Sequence, residues 1–387
     1  MAGPLPAHLL PDTTTIDGSG RASIGGCDLV ALADEFGTPL FVYDEAHLRA
    51  RCREAVAAFG GGVAYAGKAF LCGAMARLAH EEGMHIDVAT GGELFLALHA
   101  GVPADRLVMH GNNKSDIELA MAVDEGVGRI VVDSFDEMDR LDSLHAATGT
   151  VPRVLIRITP GVEAHTHEFI STGQDDSKFG FTVSTGLAAA AVERAMASDS
   201  VELVGLHAHI GSQVFEVEAF SRAVEVLVEF AGPFGLPELS VGGGLGVPYV
   251  EGETAPTITE WAAGIRAVCG AAGVTAGISA EPGRAIVAAA AVTLYRVGTV
   301  KELPGLRTYV AVDGGMSDNP RPVLYGSGYE TFLPRAADAE RPRPVRVVGK
   351  HCESGDIVVR ADYLPGDVAP QDLLAVPATG AYCFSLA

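Results

Sequence analysis

Residues 85–101 read HIDVATGGELFLALHAG, and this stretch carries the pattern that decides the fold. A short apolar run around Ile86 and Val88 is typical of a buried strand, and a polar, glycine-containing turn follows it. The next residues have the spacing of a helix and end at Gly101, where a helix C-cap favours glycine. The stretch therefore predicts one β-strand followed by one α-helix.

The same pattern recurs from residue 63 to residue 284. Helix-type segments such as GAMARLAHEEG and SDIELAMAVDEG lie between the strand candidates. Alternating strands and helices imply parallel strands with crossover helices, and eight such units close a (β/α)₈ barrel. The candidate strands are VAYAGK (63–68), HIDVAT (85–90), RLVMHG (106–111), RIVVDS (129–134), RVLIRITP (153–160), VELVGLHAHIG (201–211), LSVGGGLG (239–246) and GISAEPGR (277–284). The sequence thus predicts an α/β protein with a TIM barrel.

The two ends of the chain do not follow this pattern. They are richer in Val, Thr, Pro and Gly turns, which favours short antiparallel strands. We therefore predict a barrel domain at 43–285 and a second, β-rich domain, a β-sandwich or barrel, built from 1–42 and 286–387. Within the second domain we expect residues 331–346, with four arginines and three prolines, to form a surface loop.

Composition excludes several classes of function. The chain has 27 Lys and Arg against 49 Asp and Glu, so a basic surface for nucleic acid or an anionic membrane is not expected. The N-terminus lacks the pattern of a secretory signal, and the apolar run at 285–295 is too short to span a bilayer. We expect a cytoplasmic protein. Six scattered cysteines without a CxxC pair predict neither disulfides nor a metal site.

Chemically useful side chains gather at the predicted strand ends, where the active sites of such barrels lie. Taken singly, each residue also has a purely structural explanation. Lys68 could extend to solvent, and His209 could be a hydrogen-bonded core histidine. The group comprises Lys68, Asp87, His110 with Asn112, His209 with Ser212, the run Gly242–Gly246, and Glu281 with Arg284. A glycine-rich strand end offers backbone N–H groups to a phosphate. With a lysine and a carboxylate, the set fits pyridoxal 5′-phosphate.

The chain also resembles a known family over about residues 40–383. The family is the pyridoxal-phosphate decarboxylases of the alanine-racemase fold, called group IV decarboxylases. The matching blocks occur in the family's order: FVYD, YAGKAF, DVATGGEL, HGNNKS, GVEAHTHEFISTGQDDSKFGF, GLHAHIGSQ, GGGLG, EPGR, VDGGMSDNPRPVLYG, GKHCESGD and ATGAY. Within the family the resemblance implies decarboxylation of meso-2,6-diaminopimelate to L-lysine and CO₂, the last step of lysine biosynthesis.

The resemblance assigns roles around the cofactor. It implies that Lys68 carries the cofactor and that Glu281 keeps the pyridine nitrogen protonated, whereas the family's racemases place a cation there. His209 is expected to stack on the ring, and Asp87 either contacts the cofactor or orders the loop beside it. The cofactor-binding set is Lys68, Asp87, His209, Ser212, Gly243, Gly244, Glu281, Gly283, Arg284 and Tyr382.

The resemblance also implies a homodimer with active sites at its interface. Cys352 and Glu353 are expected to reach into the partner's barrel, where the thiol donates a proton and Glu353 binds the distal ammonium of the substrate. A guanidinium can donate two parallel hydrogen bonds to one carboxylate. The distal carboxylate of the substrate is therefore expected to bind Arg284, Arg321 and Tyr325. Tyr382 is expected to contact both cofactor and substrate. We expect His165 and His167 to lie on a loop that closes over the site.

Some alternatives remain open at this point. A decarboxylase of lysine, ornithine or a specialised-metabolism analogue would favour an acidic pocket without arginines, and the stretch DNPRPVLY argues against it. A catalytically silent relative would be expected to have lost Lys68 or Cys352. A nucleotide-binding module based on the glycine run lacks a second phosphate motif. The family continues beyond GAYCFSL with a tail, whereas this sequence stops at Ala387. Either the sequence is clipped or the protein ends early, and only a natural early end is expected to affect the stability of the β-rich domain and the activity.

Overall fold

The computed structural model describes residues 2–162 and 175–386. Packing divides the chain into two units. The β unit comprises Met1–Arg51, Val247–Ala255 and Arg284–Ala387, and the barrel unit comprises Cys52–Gly246 and Pro256–Gly283. Both chain ends therefore contribute to the same unit.

The N-terminal part of the β unit is a small antiparallel sheet followed by a helix and a strand. Asp28 accepts a hydrogen bond from the backbone N–H of Ala31 and so caps the helix, as acidic residues at this position commonly do. The elements are β1 (Thr15–Ile16), β2 (Ala22–Ile24), β3 (Cys27–Asp28), α1 (Leu29–Phe36) and β4 (Leu40–Tyr43). Helix α2 (Glu45–Phe59) then leads into the barrel unit.

The described part of the barrel unit contains the eight parallel strands that the sequence predicts. They are β5 (Ala64–Ala66), β6 (His85–Val88), β7 (Leu107–Met109), β8 (Arg129–Val132), β9 (Arg153–Thr159), β11 (Glu202–Ala208), β12 (Glu238–Ser240) and β13 (Gly277–Ser279), and a short β10 (Phe181–Thr182) pairs with β9. The strands pair in parallel in their chain order. The backbone N–H of Ala64 donates to Ala280 at 2.9 Å, and that of Ala66 donates to Pro282 at 3.3 Å. These two bonds join the first strand to the last and close the ring.

Helices follow the strands as the glycine-terminated segments predict. They are α3 (Gly73–Glu81), α4 (Gly91–His99), α5 (Asp116–Asp124), α6 (Phe135–Thr148), α7 (Leu187–Ala197), α8 (Val217–Ala231) and α9 (Ile258–Ala271). Ser115 and Glu118 form a capping box at the start of α5, and Thr257 and Glu260 form another at α9. Each box satisfies backbone N–H groups that the first helical turn leaves unpaired.

The C-terminal part of the chain supplies most of the β unit. Its elements are α10 (Arg284–Val287), β14 (Ala291–Leu303), β15 (Arg307–Val312), α11 (Arg321–Leu324), β16 (Arg343–Val348), β17 (Ile357–Leu364) and β18 (Leu373–Pro377). The sheet runs β17-β16-β15-β14-β18, and β4 also pairs with β14. The pair β15 and β16 is parallel, so the sheet is mixed. A second, β-rich domain is confirmed.

The prediction of a surface loop at 331–346 is wrong. Phe332 and Leu333 are buried, and Phe332 forms a backbone bridge with Ala375. Arg341 is only 2% exposed because its guanidinium donates to Glu330 and Asp362. Local composition made the segment look solvated, whereas acidic partners elsewhere in the chain make burial of the arginine possible.

None of the helices in the described ranges combines the length and apolar character that crossing a membrane requires. All six cysteines fall within those ranges, and each is a free thiol there.

Candidate active site

Lys68 lies directly after the first barrel strand. It occupies a short 3₁₀ turn, Gly67–Ala69, and its side chain is exposed. Its positive charge influences the pKa values of Asp87, His110 and His209. The amine therefore shares the C-terminal end of the barrel with these three side chains, as the strand ends predict.

Glu281 follows the last barrel strand and has two hydrogen-bond donors. The imidazole Nε2 of His207 lies 3.0 Å from one carboxylate oxygen, and the hydroxyl of Ser240 donates to the other at 2.8 Å. Burial alone would raise the pKa of Glu281, but the nearby imidazoles of His207 and His110 and these hydrogen bonds hold the pKa well below its usual value. Glu281 is therefore an anion at neutral pH.

The pKa of Asp87 shifts in the opposite direction to that of Glu281. Burial, and then the charge of Glu281, raise the pKa of Asp87 well above its usual value, and Lys68 opposes this shift. Neither carboxylate oxygen has a hydrogen-bond partner among the described residues. The Nε2 atom of His110 lies 3.6 Å from Oδ1 of Asp87. The end of the barrel thus pairs one ionised carboxylate with one that binds a proton more tightly than an ordinary aspartate.

The two histidines beside these carboxylates are neutral. Burial lowers the pKa of His110 to about 3, against the attraction of Glu281. Burial also lowers the pKa of His209 well below its usual value, and the charges of Lys68 and Arg157 add to the effect. The Nδ1 of His209 accepts a hydrogen bond of 3.0 Å from the backbone N–H of Gly243, so the ring proton lies on Nε2. A neutral, fixed imidazole suits contact with an aromatic ring.

The glycine-rich loop after β12 packs so closely against neighbouring backbone that Gly243 and Gly244 have no room for a side chain. A Cβ on Gly243 would lie 2.2 Å from the carbonyl oxygen of Glu281, and one on Gly244 would lie 2.2 Å from that of Gly211. Gly244 also has φ +113°, a conformation that favours glycine. Ser212 lies half-buried in the loop after β11, and Gly283 packs against Ala66. Without side chains, the backbone N–H groups of such a loop can approach a phosphate closely.

A cavity of about 340 Å³ lies inside the barrel. Asp87, Ser240 and Glu281 border it at the C-terminal strand ends, while Arg129 and Glu238 border it at the N-terminal ends. Val108 and Leu155 of the cavity lining belong to the apolar cluster Val108, Val131, Leu155 and Val204, which packs next to the cavity. The carboxylates of the site therefore border open space inside the barrel as well as packed core.

Pyridoxal 5′-phosphate fits the side chains at this end of the barrel. The group needs an amine, an acid beside its ring nitrogen and a close backbone approach for its phosphate. Lys68, the ionised Glu281 and the glycine loop supply these three parts. His110, His207 and Glu281 also place donor atoms within 4.8 Å of one another, as a metal site would, but they belong to this same cluster.

A second cluster lies within the β unit and contains two buried arginines. Arg284 and Arg321 are 6% and 4% exposed. Arg284 donates to the hydroxyl of Tyr249 at 2.6 Å, and Arg321 donates to the hydroxyl of Tyr329. The guanidinium of Arg284 also lies 4.7 Å over the ring of Tyr382. The structure thus brings together three residues predicted to bind the substrate, two arginines and Tyr382.

Three further predicted residues lie elsewhere in the β unit. Tyr325 is half-buried and directly follows α11. Cys352 and Glu353 are exposed in the loop between β16 and β17. Buried Asp356 orders that loop by accepting hydrogen bonds from the backbone of Met316 and His351. His165 and His167 lie outside the described residues.

The sequence reasoning missed four residues of these clusters: His207, Ser240, Tyr249 and Tyr329. Strand alternation could have found the first two, because His207 lies two residues before His209 and Ser240 lies two residues before Gly242. No local signal marks Tyr249 or Tyr329, which are far apart in the sequence.

Comparison with known proteins gives consistent matches. Residues 45–288 match the family model described as pyridoxal-dependent decarboxylase, pyridoxal binding domain. The chain is 50% identical to diaminopimelate decarboxylase of Mycobacterium bovis, covering 99% of this chain and 90% of that protein. It is 48% identical to the Mycobacterium leprae protein of the same name, over 99% and 85%. The crystal structure of the M. jannaschii diaminopimelate decarboxylase with L-lysine matches with a TM-score of 0.89 and 32% identity, over 97% and 89%.

Proposed function

The chain belongs to the family of pyridoxal-dependent decarboxylases, and on this premise we propose that it decarboxylates meso-2,6-diaminopimelate to L-lysine and CO₂. This is a carboxy-lyase reaction and the last step of lysine biosynthesis. Near-full-length similarity to diaminopimelate decarboxylases supports the substrate.

The cofactor is pyridoxal 5′-phosphate, and we assign the barrel end to it. Lys68 would provide the amine for its aldehyde group, and Glu281 would hold a proton at its ring nitrogen. When bound, the cofactor supplies a sink for the electron pair left at Cα as CO₂ departs. The remaining cofactor-binding residues are Asp87, His209, Ser212, Gly243, Gly244, Gly283, Arg284 and Tyr382. We also propose residues 43–285 as the cofactor-binding domain, which the family match at 45–288 supports.

The position of Glu281 at the end of the last barrel strand, with a hydrogen-bond partner on each carboxylate oxygen, is the observation that carries the reaction type. A carboxylate that stays anionic favours a proton on a neighbouring pyridine nitrogen, and a protonated ring withdraws electrons more strongly. His207 and Ser240 maintain this state by donating to both carboxylate oxygens. This arrangement suits the loss of CO₂ from Cα.

Arginines of the β unit support the choice of substrate. Arg321 is buried, its Nε has no hydrogen-bond partner, and it forms no ion pair in the described part of the chain. A buried charge without a counter-ion is costly, so an anionic group of the substrate is the expected partner. In our proposal, Arg284, Arg321 and Tyr325 bind the distal carboxylate, while Glu353 binds the distal ammonium and Tyr382 contacts the substrate. A substrate with only a distal amine would not use the arginines.

A proton must be added to Cα for each CO₂ released, because the electron pair of the broken C–C bond ends in a new C–H bond. We assign this proton to the thiol of Cys352, contributed by the partner subunit of a homodimer. The exposure of Cys352 and Glu353 supports their availability to a partner. We further propose that this homodimer acts in the cytoplasm, where lysine biosynthesis takes place.

The test is release of CO₂ by the purified chain loaded with pyridoxal 5′-phosphate. Meso-diaminopimelate, L-lysine and L-ornithine are supplied in separate reactions. We expect CO₂ from the first alone, and release from either of the others at a comparable rate would contradict the substrate assignment. Lys68→Ala serves as the matched variant. It is expected to lose both activity and the visible absorbance of the bound cofactor.

A further inference from the structure

Two tyrosines hold the buried arginines of the β unit. The hydroxyl of Tyr249 accepts a hydrogen bond from Arg284, and the face of the same ring lies 4.1 Å from the guanidinium carbon of Arg321. Tyr249 therefore contacts both cations, one through its hydroxyl and one through its ring. Tyr249 is 4% exposed, so neighbouring atoms fix its position.

Tyr329 also contacts Arg321, through its hydroxyl group. Its hydroxyl accepts a hydrogen bond from Arg321, and its ring packs edge-on against Tyr249 with 5.2 Å between centroids. The thiol of Cys383 lies 3.8 Å from the same hydroxyl. Tyr329 is 1% exposed. The two rings and the two guanidiniums thus form one packed group.

The chemistry of these contacts leaves the positive charge of Arg321 intact. Burial raises the pKa of Tyr329 well above its usual value, so its hydroxyl is neutral. Burial likewise raises the pKa of Cys383 to about 11. A carboxylate would orient Arg321 and also neutralise it, whereas a hydroxyl and an aromatic face orient it without supplying a counter-charge.

We propose that Tyr249 and Tyr329 are positioning residues that fix the spacing of the Arg284 and Arg321 guanidiniums and thereby select ligands carrying a distal carboxylate. This inference rests on the proposed function, because it takes the distal carboxylate as the ligand of the arginines. Bidentate binding of a carboxylate requires that the planar guanidinium keep a fixed orientation. If the guanidinium loses this orientation, binding of the distal carboxylate weakens before the chemistry at Cα is affected.

The experiment uses the cofactor-loaded protein and the variants Tyr249→Phe and Tyr329→Phe. Each removes one hydroxyl and keeps the ring. We expect KM for meso-diaminopimelate to rise about 3- to 10-fold while kcat stays within about twofold, since a single hydrogen bond is lost. Tyr295→Phe is the control, because Tyr295 is a fully buried tyrosine of the same unit that makes none of these arginine contacts. Its KM is expected to stay unchanged.

Two competitive inhibitors separate positioning from a general structural effect. L-lysine, the product, retains the distal carboxylate, whereas 1,5-diaminopentane has no carboxylate. Both tyrosine variants are expected to weaken inhibition by L-lysine 3- to 10-fold and to leave inhibition by 1,5-diaminopentane unchanged. The ratio of the two inhibition constants is measured within each variant, so a partly unfolded preparation does not change it.

The outcomes separate this inference from the proposed function. If the wild-type protein releases no CO₂ from meso-diaminopimelate, the proposed function fails and this inference fails with it. If the wild type is active but both inhibitors weaken equally, or neither changes, only the positioning role is overturned. A selective loss of L-lysine binding in both variants supports it.

Discussion

Glu281 in the barrel unit and Arg321 in the β unit are both largely buried charges, and their surroundings differ. Glu281 receives hydrogen bonds on both oxygens from His207 and Ser240, which stabilise its anionic form. Arg321 donates a hydrogen bond to the neutral hydroxyl of Tyr329 and packs on the ring face of Tyr249. It makes no ion pair within the described residues. The first charge is stabilised by the protein itself, whereas the second remains available to an anionic ligand.

The strongest test of the barrel side is Glu281→Gln. Glutamine keeps the size and an acceptor oxygen but lacks the negative charge that, in our proposal, favours a proton on the cofactor ring. We expect kcat for CO₂ release to fall about 10²- to 10⁴-fold, the range of acid–base contributions in enzymes. Cofactor absorbance confirms loading. Glu238→Gln is the control, because that carboxylate pairs with Arg129 at the opposite strand ends. A fall of less than tenfold in Glu281→Gln would show that the charge is not needed.

The corresponding test of the β unit is Arg321→Met. Methionine keeps much of the apolar volume and removes the cation. Loss of one partner of a buried charge pair costs about 2–5 kcal/mol, so kcat/KM for meso-diaminopimelate is expected to fall about 30- to 5,000-fold, mainly through KM. Arg346→Met, an arginine of the same unit that donates to a backbone carbonyl, is the control. An unchanged KM would mean that Arg321 does not bind the substrate.

The neutral histidines of the barrel predict a dependence of stability on pH. The pKa of His110 is about 3 in the folded chain against an ordinary value near 6.5. Below 6.5 the unfolded chain therefore binds a proton that the folded chain does not, and the free energy of unfolding falls as pH falls toward 3. One such histidine accounts for about 2 kcal/mol between pH 7 and pH 5.

Denaturant unfolding at pH 7 and pH 5 measures this dependence. His110→Asn is expected to reduce the difference in unfolding free energy between the two pH values, and His8→Asn, at an exposed position, serves as the control. An equal difference in wild type and His110→Asn would contradict a neutral His110.

The smallest expected effect comes from Ser240→Ala. This change removes one of the two hydrogen bonds to Glu281 and leaves His207 in place. A hydrogen bond to a neighbouring carboxylate is worth about 1 kcal/mol, so kcat is expected to fall about 5-fold. Ser279→Ala, on the adjacent strand, is the control. A loss as large as that of Glu281→Gln would show that Ser240 does more than stabilise the carboxylate.

The barrel was predictable because its information is local. The strands are short apolar runs, and most of the helices α3–α9 are followed within two residues by a glycine. Lys68, Asp87 and Glu281 could therefore be placed at strand ends from spacing alone. His207 was within reach of the same reasoning, since it faces the same side of its strand as His209. The buried segment 331–346 was mispredicted because its composition is polar and its acidic partners, such as Asp362, are distant in sequence.

The amino-acid sequence by itself determined the order of strands and helices, the family, and the placement of Lys68, Asp87 and Glu281 at strand ends, because periodicity and short motifs are properties of neighbouring residues. Only the tertiary structure decided which partners stabilise each charge. The ionised state of Glu281 depends on His207 and Ser240, which lie on other strands. The orientation of Arg321 depends on Tyr249, which lies 72 positions away in the sequence. Burial and electrostatics act through space, so they emerge when the chain folds.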